Sequence, residues 1–385
     1  MWRAAAGVEL KLPSPLPRTS SFMGISEEPG EGSGFDALAG ESPPARRQSF
    51  FFASTDGDLV LDVESIASSV ASFEGVRRKK DIRRVTSILK ETLDASCVLV
   101  RGFGEDAAVL DVGWGEYLLL AVDSMWHLLL DSDPFFAGYC SVLVNVNDVV
   151  AKGGRPLCLL DSLNVNSWDK ASIILEGIVY GSRKFLVPVV GGHLQPDAPT
   201  NELSVAVAGI VDKSKVLLSD TASQGDLILL AVDMHGKFHE KFPYAWDTTS
   251  WKKPEEVMLK LSSMWAIADG GLATAAKDVS NPGAIGTLAM LLEASGVGGI
   301  VDVRSIPVPE GVEAERWVRA YPGFGVVLTA KPENASQCLK IFKERGVTAS
   351  VIGEVTPNKK LTLTDGKREV EVFDFKVDSL SGKPD

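Results

Sequence analysis

The stretch "GEDAAVLDVGWGEYLLLAVDSMWH", residues 104–127, carries its acids at its turns and at the end of an apolar run whose interior is aliphatic. A solvated surface scatters acids among polar neighbours. Here Asp106 sits in a glycine-rich turn and Asp123 closes "EYLLLAVD". The runs "AAVLDV" and "EYLLLAVD", each bounded by glycine, read as short strands. The following segment, "DPFFAGYCSVLVNVNDVVAKGG" (133–154), reads as a helix. Asp133 suits the N-cap, Pro134 the first turn, Lys152 the last turn and Gly153 a left-handed stop. Phe135, Tyr139, Val142, Val146 and Val149 make an apolar stripe at spacings of three and four. Ser141, Asn145, Asp148 and Lys152 recur on another face, so Asn145 and Asp148 are expected to point the same way.

Working outward, helical spacing precedes this stretch in "LVLDVESIASSVASF" and "DIRRVTSILKETL". After it come a strand ("PLCLLDSLNV"), a helix near residues 170–184 and strands in "FLVPVVGG" and "LSVAVAGIV", completing one α+β unit near Asp212. A second unit opens with "GDLILLAVD" at 225–233. It continues through an aromatic connection, "KFHEKFPYAWDTTSW", to helices near 254–267 and 333–345, with strands near 299–303, 325–330, 350–355 and 360–364. The expected fold class is α+β in two domains, 58–212 and 213–385. Residues 1–57, rich in Pro, Ser, Gly and Glu, lack sustained periodicity and read as a disordered extension. Its first two dozen residues admit a transit-peptide reading, which would place the protein in an organelle such as a plastid. Otherwise a cytoplasmic location is expected.

Composition excludes several classes. With 39 basic and 51 acidic residues the chain carries a formal charge of −12, the wrong sign for a nucleic-acid or anionic-membrane surface. Its basic run, "RRKKDIRR" at 77–84, reads as the solvated face of a helix start. The four cysteines form no metal-ligand or disulfide pattern. No apolar run approaches the ~20 residues of a membrane-spanning helix.

One motif is a decoy. "GFGEDA" at 102–107 matches the G-x-G-x-x-A dinucleotide fingerprint, but a β-rich run follows where that fingerprint needs a helix. There is no P-loop, G-x-S-x-G or H-E-x-x-H. What remains is a set of acids: Asp106, Asp123, Asp148 and Asp269 in "ADGGL". Each alone could cap a turn or pair on a surface. Brought together in a cleft they would repel by several kcal/mol unless a cation neutralised them. Mg²⁺, which takes oxygen ligands and is commonly shared with substrate phosphates, is the expected cation.

The landmarks "GEDAAVL", "AVDSMWH", "VNVNDVVAKGGRPL", "VVGGH", "GDLILL", "ADGGL" and "GTLAMLLEASG", in that order, resemble the AIR-synthase-related superfamily with its PurM-like fold. The segments "FEGVRRKKDI", "GGHLQPDAP" and "KDVSNPGAIGTLAMLLE" are closest to an uncharacterised, methanogenesis-marker-like branch. The resemblance implies a homodimer whose first domains pair their sheets into a shared barrel, with ATP near the GEDAA turn. It implies Mg²⁺ at Asp106, Asp123 and Asp148. Gly104, Asp106, Asn145, Gly191 and Gly192 would lie against the nucleotide, and Asp269, Gly270 and Gly271 against a small-molecule acceptor.

Two departures bear on activity. His193 stands where many members carry an acid, which makes it a candidate base beside the acceptor or a hydrogen-bonded turn residue. No N-terminal reactive cysteine and no C-terminal cysteine match the selenophosphate and hydrogenase-maturation branches. The expected activity is Mg²⁺- and ATP-dependent phosphoryl transfer to an oxygen of a small acceptor, with Asp269 and His193 as catalytic candidates. Thiamine-monophosphate kinase is the named alternative within the enzymes, and a non-catalytic nucleotide-binding dimer is the alternative outside them. The aromatic connection at 237–251 is expected to be a lid over the acceptor or a packed insertion.

Overall fold

Three short helices, α1 (Val63–Ala71), α2 (Glu74–Lys79) and α3 (Ile82–Leu89), lead into a six-stranded sheet built around the opening stretch. Its strands are β1 (Leu99–Arg101), β2 (Ala108–Leu110), β3 (Glu116–Ser124), β4 (Arg155–Asn164), β5 (Val189–Gln195) and β6 (Glu202–Asp212), in the order β1-β2-β3-β6-β4-β5. The computed structural model describes residues 62–384 apart from 96–97 and 114; the N-terminal extension, Cys97 and Trp114 lie outside the described residues. Neighbouring strands are antiparallel except β4 and β5, which run parallel. A parallel pair needs a long crossover.

Helices α4 (His127–Ser132), α5 (Pro134–Ala151) and α6 (Trp168–Phe185) cover one face of this sheet, and α6 is that crossover. The α5 start is as expected: Asp133 Oδ1 accepts from Phe136 N at 3.0 Å, with Pro134 in the first turn. At its other end Gly153 has φ +72°. The polar face of α5 is packed as well as the apolar one. Ser141, Asn145 and Lys152 are fully buried along with Tyr139, Val142, Val146 and Val149 of the apolar stripe, because sheet, α6 and α7 (below) surround the helix. Glycines permit that crowding: a Cβ at Gly138 would stand 2.1 Å from Ile174 O, and one at Gly177 2.1 Å from Phe135 O. By length and composition α5 could cross a bilayer, but it is a core helix here.

The second half contains β7 (Leu227–Val232), β8 (Lys237–Phe238), β9 (Ala245–Asp247), α7 (Pro254–Asp269), β10 (Ala275–Asp278), α8 (Gly283–Ser295) and β11 (Gly298–Asp302). Then follow α9 (Ala314–Trp317), β12 (Tyr321–Pro322), β13 (Gly325–Ala330), α10 (Pro332–Glu344), β14 (Thr348–Thr356), β15 (Lys360–Thr364) and β16 (Glu369–Asp374). A seven-stranded sheet runs β10-β13-β7-β14-β11-β15-β16, and β12-β9-β8 form a small ribbon.

Strand β7 is buried on both faces, and its alternation sorts two cores. Leu229 and Ala231 join Leu261 and Met264 of α7 and Phe342 of α10, a cluster that continues into the core between α5 and the first sheet. Ile228, Leu230 and Val232 join Ile285 and Leu288 of α8. The described residues from 62 onward accordingly form one compact unit. The leading helix departs from the sequence expectation: grouped above with the first unit, α1 packs Val63, Ile66 and Val70 into the second core. Gly75 in α2 is pressed against Asn281, whose carbonyl oxygen would meet a Cβ at 2.3 Å.

Among the described residues, no helix covers the first sheet's other face. Val122, Ala206 and Leu160 stand in one row across β3, β6 and β4, and Val122 and Leu160 are 66% and 50% exposed. Every residue of β5, the edge strand, is exposed.

Candidate functional site

The turn before β2 begins the site. Glu105 N donates to Gly102 O, and Gly104 takes φ +97°, a conformation that suits only glycine without strain. This aims Glu105 and Asp106 inward, where both side chains are 3% exposed. Lys152, just past the end of α5 and wholly buried, meets them: its Nζ lies 3.0 Å from Glu105 Oε2 and 3.0 Å from Asp106 Oδ2. The contact with Asp106 Oδ2 is an ion pair, and that buried oxygen has no hydrogen-bond partner of good geometry. Asp106 Oδ1 accepts a short hydrogen bond from Lys277.

Three more carboxylates face Asp106: Asp123 near the end of β3, Asp148 on α5 and Asp278 at the end of β10. Oxygens of Asp106, Asp148 and Asp278 lie within 4.8 Å of one another. The electrostatics follow from this crowding. Burial opposes ionisation of Asp106, but Lys152 and Lys277 outweigh it and hold its carboxyl below the ordinary range. Burial, then the neighbouring charges of Asp123, Asp278 and Asp106, push Asp148 well above that range, and a hydrogen bond with Asp123 adds to the effect. Asp278 is pushed up to about 7, by burial first and then by Asp106. Lys79 of α2 sits among the same acids, its ammonium made less basic by burial and by Lys277.

These groups line a cavity of about 920 Å³. Its lining includes the carboxylates of Glu105, Asp106, Asp123, Asp148, Asp247 and Asp278 against the ammoniums of Lys79 and Lys277. That imbalance suits a cation better than a bare anion. The remaining wall is apolar and aromatic, with Trp126, Phe136, Phe242, Trp246 and Tyr321. The connection at 237–251 is thus a packed wall of the cavity: Phe242 and Trp246 are buried, and Trp246 Nε1 donates to Asp233 O. His239 Nε2 lies 3.1 Å from Asp133 Oδ2, tying this wall to the cap of α5. Asn147, with Nδ2 donating to Gly323 O, turns an unpartnered Oδ1 toward its surroundings and also lines the cavity. Cys140 lines it too, but burial raises its thiol pKa well above normal, so it is no ready nucleophile.

The structure thus brings Gly104, Asp106, Asp123 and Asp148 to one place and puts the other sequence candidates elsewhere. Asp269, Gly270 and Gly271 form the exposed stop of α7, where Asp269 Oδ1 pairs with Lys215 Nζ at 2.8 Å and Gly271 takes φ +60°. Asn145 does not share the cavity with Asp148; it is buried, and its Nδ2 donates to Ser141 O one turn back. Gly191, Gly192 and His193 lie on exposed β5, outside the cavity lining. Gly192 answers to packing: a Cβ there would stand 2.2 Å from Asp161 Oδ1.

Asp278, Lys277, Lys152 and Lys79 are the residues that sequence reasoning missed. Asp278 had a legible signal, since "ATAAKD" ends a short apolar strand on an acid just as "LLLAVD" does at Asp123. Lys79 was masked by the basic run around it, which spans the end of α2 and the start of α3 and sends this one ammonium inward.

Comparison with known proteins agrees with this fold. Two family profiles match, the AIR synthase related protein N-terminal domain over residues 104–211 and the C-terminal domain over 224–366. An uncharacterized protein of Methanocaldococcus jannaschii is 41% identical over 323 residues, covering 84% of this chain and all of that one. An uncharacterized protein of Synechocystis is 34% identical, covering 84% and 98%. Phosphoribosylformylglycinamidine synthase subunit PurL of Metallosphaera sedula is 27% identical over 67% of this chain and 38% of that one. Among solved structures, Thermotoga maritima PurL complexed with ADP superposes with a TM-score of 0.63 at 20% identity, over 76% of this chain and 48% of that one. AaThiL complexed with AMPPCP and TMP gives 0.54 at 19% identity, over 74% and 95%. The chain spans about half the length of the PurL structures it matches. From the two profiles and the full-length relatives, the chain belongs to the AIR synthase related protein family.

Proposed function

We propose that this cavity binds ATP with Mg²⁺ and transfers a phosphoryl group to an oxygen of a small acceptor. The observation that carries the reading is the meeting of Asp106, Asp148 and Asp278, oxygens within 4.8 Å, inside a cavity large enough for a nucleotide and a second small molecule. The donor set fits the metal: all oxygen, all carboxylate, with Asp106 Oδ2 buried and without a hydrogen bond. Asp106, Asp148 and Asp278 would hold Mg²⁺, with Asp123 beside them. Bound there, the metal would supply positive charge to offset the negative charge of phosphoryl transfer.

The chain's own residues supply position. The six lining carboxylates would repel a bare triphosphate, so nucleotide and metal should bind as one ligand. The turn at Gly104 lets backbone approach closely, and Lys79 and Lys277 face the same space as the acids. No nucleophilic side chain is required, because the acceptor oxygen attacks and catalysis is orientation plus charge neutralisation. Solved relatives support the reading by what they hold: T. maritima PurL was determined with ADP and with ATP, and AaThiL with AMPPCP. The aromatic wall is the proposed acceptor side.

The uncovered sheet face supports a homodimer. Val122, Leu160 and Val190 are 66%, 50% and 61% exposed beside the open edge of β5, a surface that a second copy of the chain would bury. Activity is tested by phosphorus NMR of Mg·ATP incubated with the full chain and a small-molecule extract. Growth of ADP together with a new phosphoester or inorganic phosphate, absent in Asp278→Asn, supports the proposal; unchanged ATP beside intact nucleotide binding would leave a binding module instead.

A further inference from the structure

The two lysines that meet Asp106 differ in what else holds them. Lys152 Nζ donates to Glu105 Oε2 (3.0 Å), Ser219 Oγ (2.5 Å) and Ala276 O (2.9 Å), which uses all three of its N–H groups. It is a fixed part of the fold. Lys277 Nζ has Asp106 Oδ1 as its one hydrogen-bond acceptor among the described residues, and its side chain lines the cavity. Two of its N–H groups are therefore free for a ligand. Lys79 adds a second ammonium from α2, and repulsion between the two works against keeping both beside the acids.

We propose that Lys277 is a stand-in counterion, which Asp106 exchanges for a divalent cation and which then binds a phosphate of the incoming nucleotide. The phosphate half rests on the function proposed above. A cation entering among Asp106, Asp148 and Asp278 brings two positive charges to carboxylates that Lys277 had partly neutralised. The ammonium is then repelled by the metal, and the nearest uncompensated anions are the phosphates the metal carries. A charge-assisted hydrogen bond to phosphate replaces the one to Asp106, so Lys277 changes partner without losing a charge pair.

The test uses the full chain, Lys277→Met, Lys277→Gln and Lys277→Arg, and separates metal from nucleotide. Mn²⁺ alone is titrated by the electron paramagnetic resonance of the free ion, and a non-hydrolysable ATP analogue is titrated calorimetrically at saturating Mn²⁺. Lys277→Met should bind Mn²⁺ alone at least about tenfold tighter, because a unit charge competing for the same carboxylate is gone. It should bind the metal–nucleotide at least about tenfold more weakly, because a charged phosphate donor is gone. Lys277→Gln should move both constants in the same directions, and Lys277→Arg should keep the parent's pattern. A residue that only orients Asp106 would weaken both constants in Lys277→Met, and a residue that only supports the fold would move neither; either result overturns the proposal. If the parent binds no nucleotide with any metal, the function proposed above fails and takes the phosphate half with it. The Mn²⁺ arm then still decides whether Lys277 competes with the cation.

Discussion

Asp148, on the core helix α5, and Asp278, at the end of a strand in the other half of the chain, bring carboxylate oxygens within 4.8 Å of each other and of Asp106. Like charges so close are kept apart or neutralised, and here both residues are driven toward their protonated forms. The pair therefore stores a cost that a divalent cation removes.

The first prediction is a pH dependence. Asp278 is raised to about 7 and Asp148 is raised well above normal, whereas an unfolded Asp titrates near ~3.9. Between these values the folded state holds more protons than the unfolded state, so this contribution is fully present below ~pH 4 and is lost as pH rises through about 7. Metal-free protein should melt at progressively lower temperature from pH 5 to pH 8 through this contribution. Saturating Mg²⁺ should reduce the slope, and Asp278→Asn should reduce it without metal; parallel slopes in calorimetric scans of all three samples would count against the cluster.

Asp148→Asn and Asp278→Asn should fold and should gain stability in the absence of metal at pH 8. The expected gain is on the order of 1 kcal/mol for each unit of upward displacement removed. Both should lose Mg²⁺-dependent nucleotide binding. The α5 helix is held by its apolar contacts and by Gly138 against α6, so circular dichroism should be unchanged.

Lys152 should prove structural, and Asp269, a catalytic candidate from sequence, should prove dispensable for nucleotide binding. Lys152→Met strands Glu105 and Asp106 in the interior, and breaking one side of a buried pair costs about 3–5 kcal/mol. Asp269→Asn removes half of an exposed pair with Lys215, worth about 0–1 kcal/mol, and should leave nucleotide affinity at the parental value. Denaturant midpoints and a nucleotide titration check both.

Leu160→Lys places a charge in the middle of the uncovered sheet face; Leu160 does not itself line the cavity, although its cross-strand neighbour Ala206 does. Light scattering should show a dimer for the parent and a monomer for the variant, with the thermal transition of the variant still cooperative. A parent that stays monomeric at micromolar concentration would remove the proposed interface.

Much of this architecture was legible in the chain. Strand β3, helix α5 and the Gly104 turn follow from local chemistry: alternation, a cap, a proline and a glycine with positive φ. Asp106, Asp123 and Asp148 could be named because each stands at a turn, a strand end or a helix face whose local geometry the sequence states. Asp269 misled because a helix stop, Ala-Asp-Gly-Gly, carries the same residue types as a glycine-rich ligand turn. Lys79 and Lys277 were illegible for a different reason: their ammoniums reach the acids only after α2 and β10 are packed against the first sheet's turn, and no local pattern encodes that meeting. The place of α1 is likewise tertiary, since its stripe of Val63, Ile66 and Val70 would fit either core.

The most direct test is a calorimetric titration of the full chain with a non-hydrolysable ATP analogue, with and without Mg²⁺, alongside Asp148→Asn and Asp278→Asn. The account predicts binding by the parent only with Mg²⁺ and loss of that binding in both variants. Equal affinity without Mg²⁺, or parental affinity in both variants, would contradict the claim that these aspartates hold the metal of a nucleotide site.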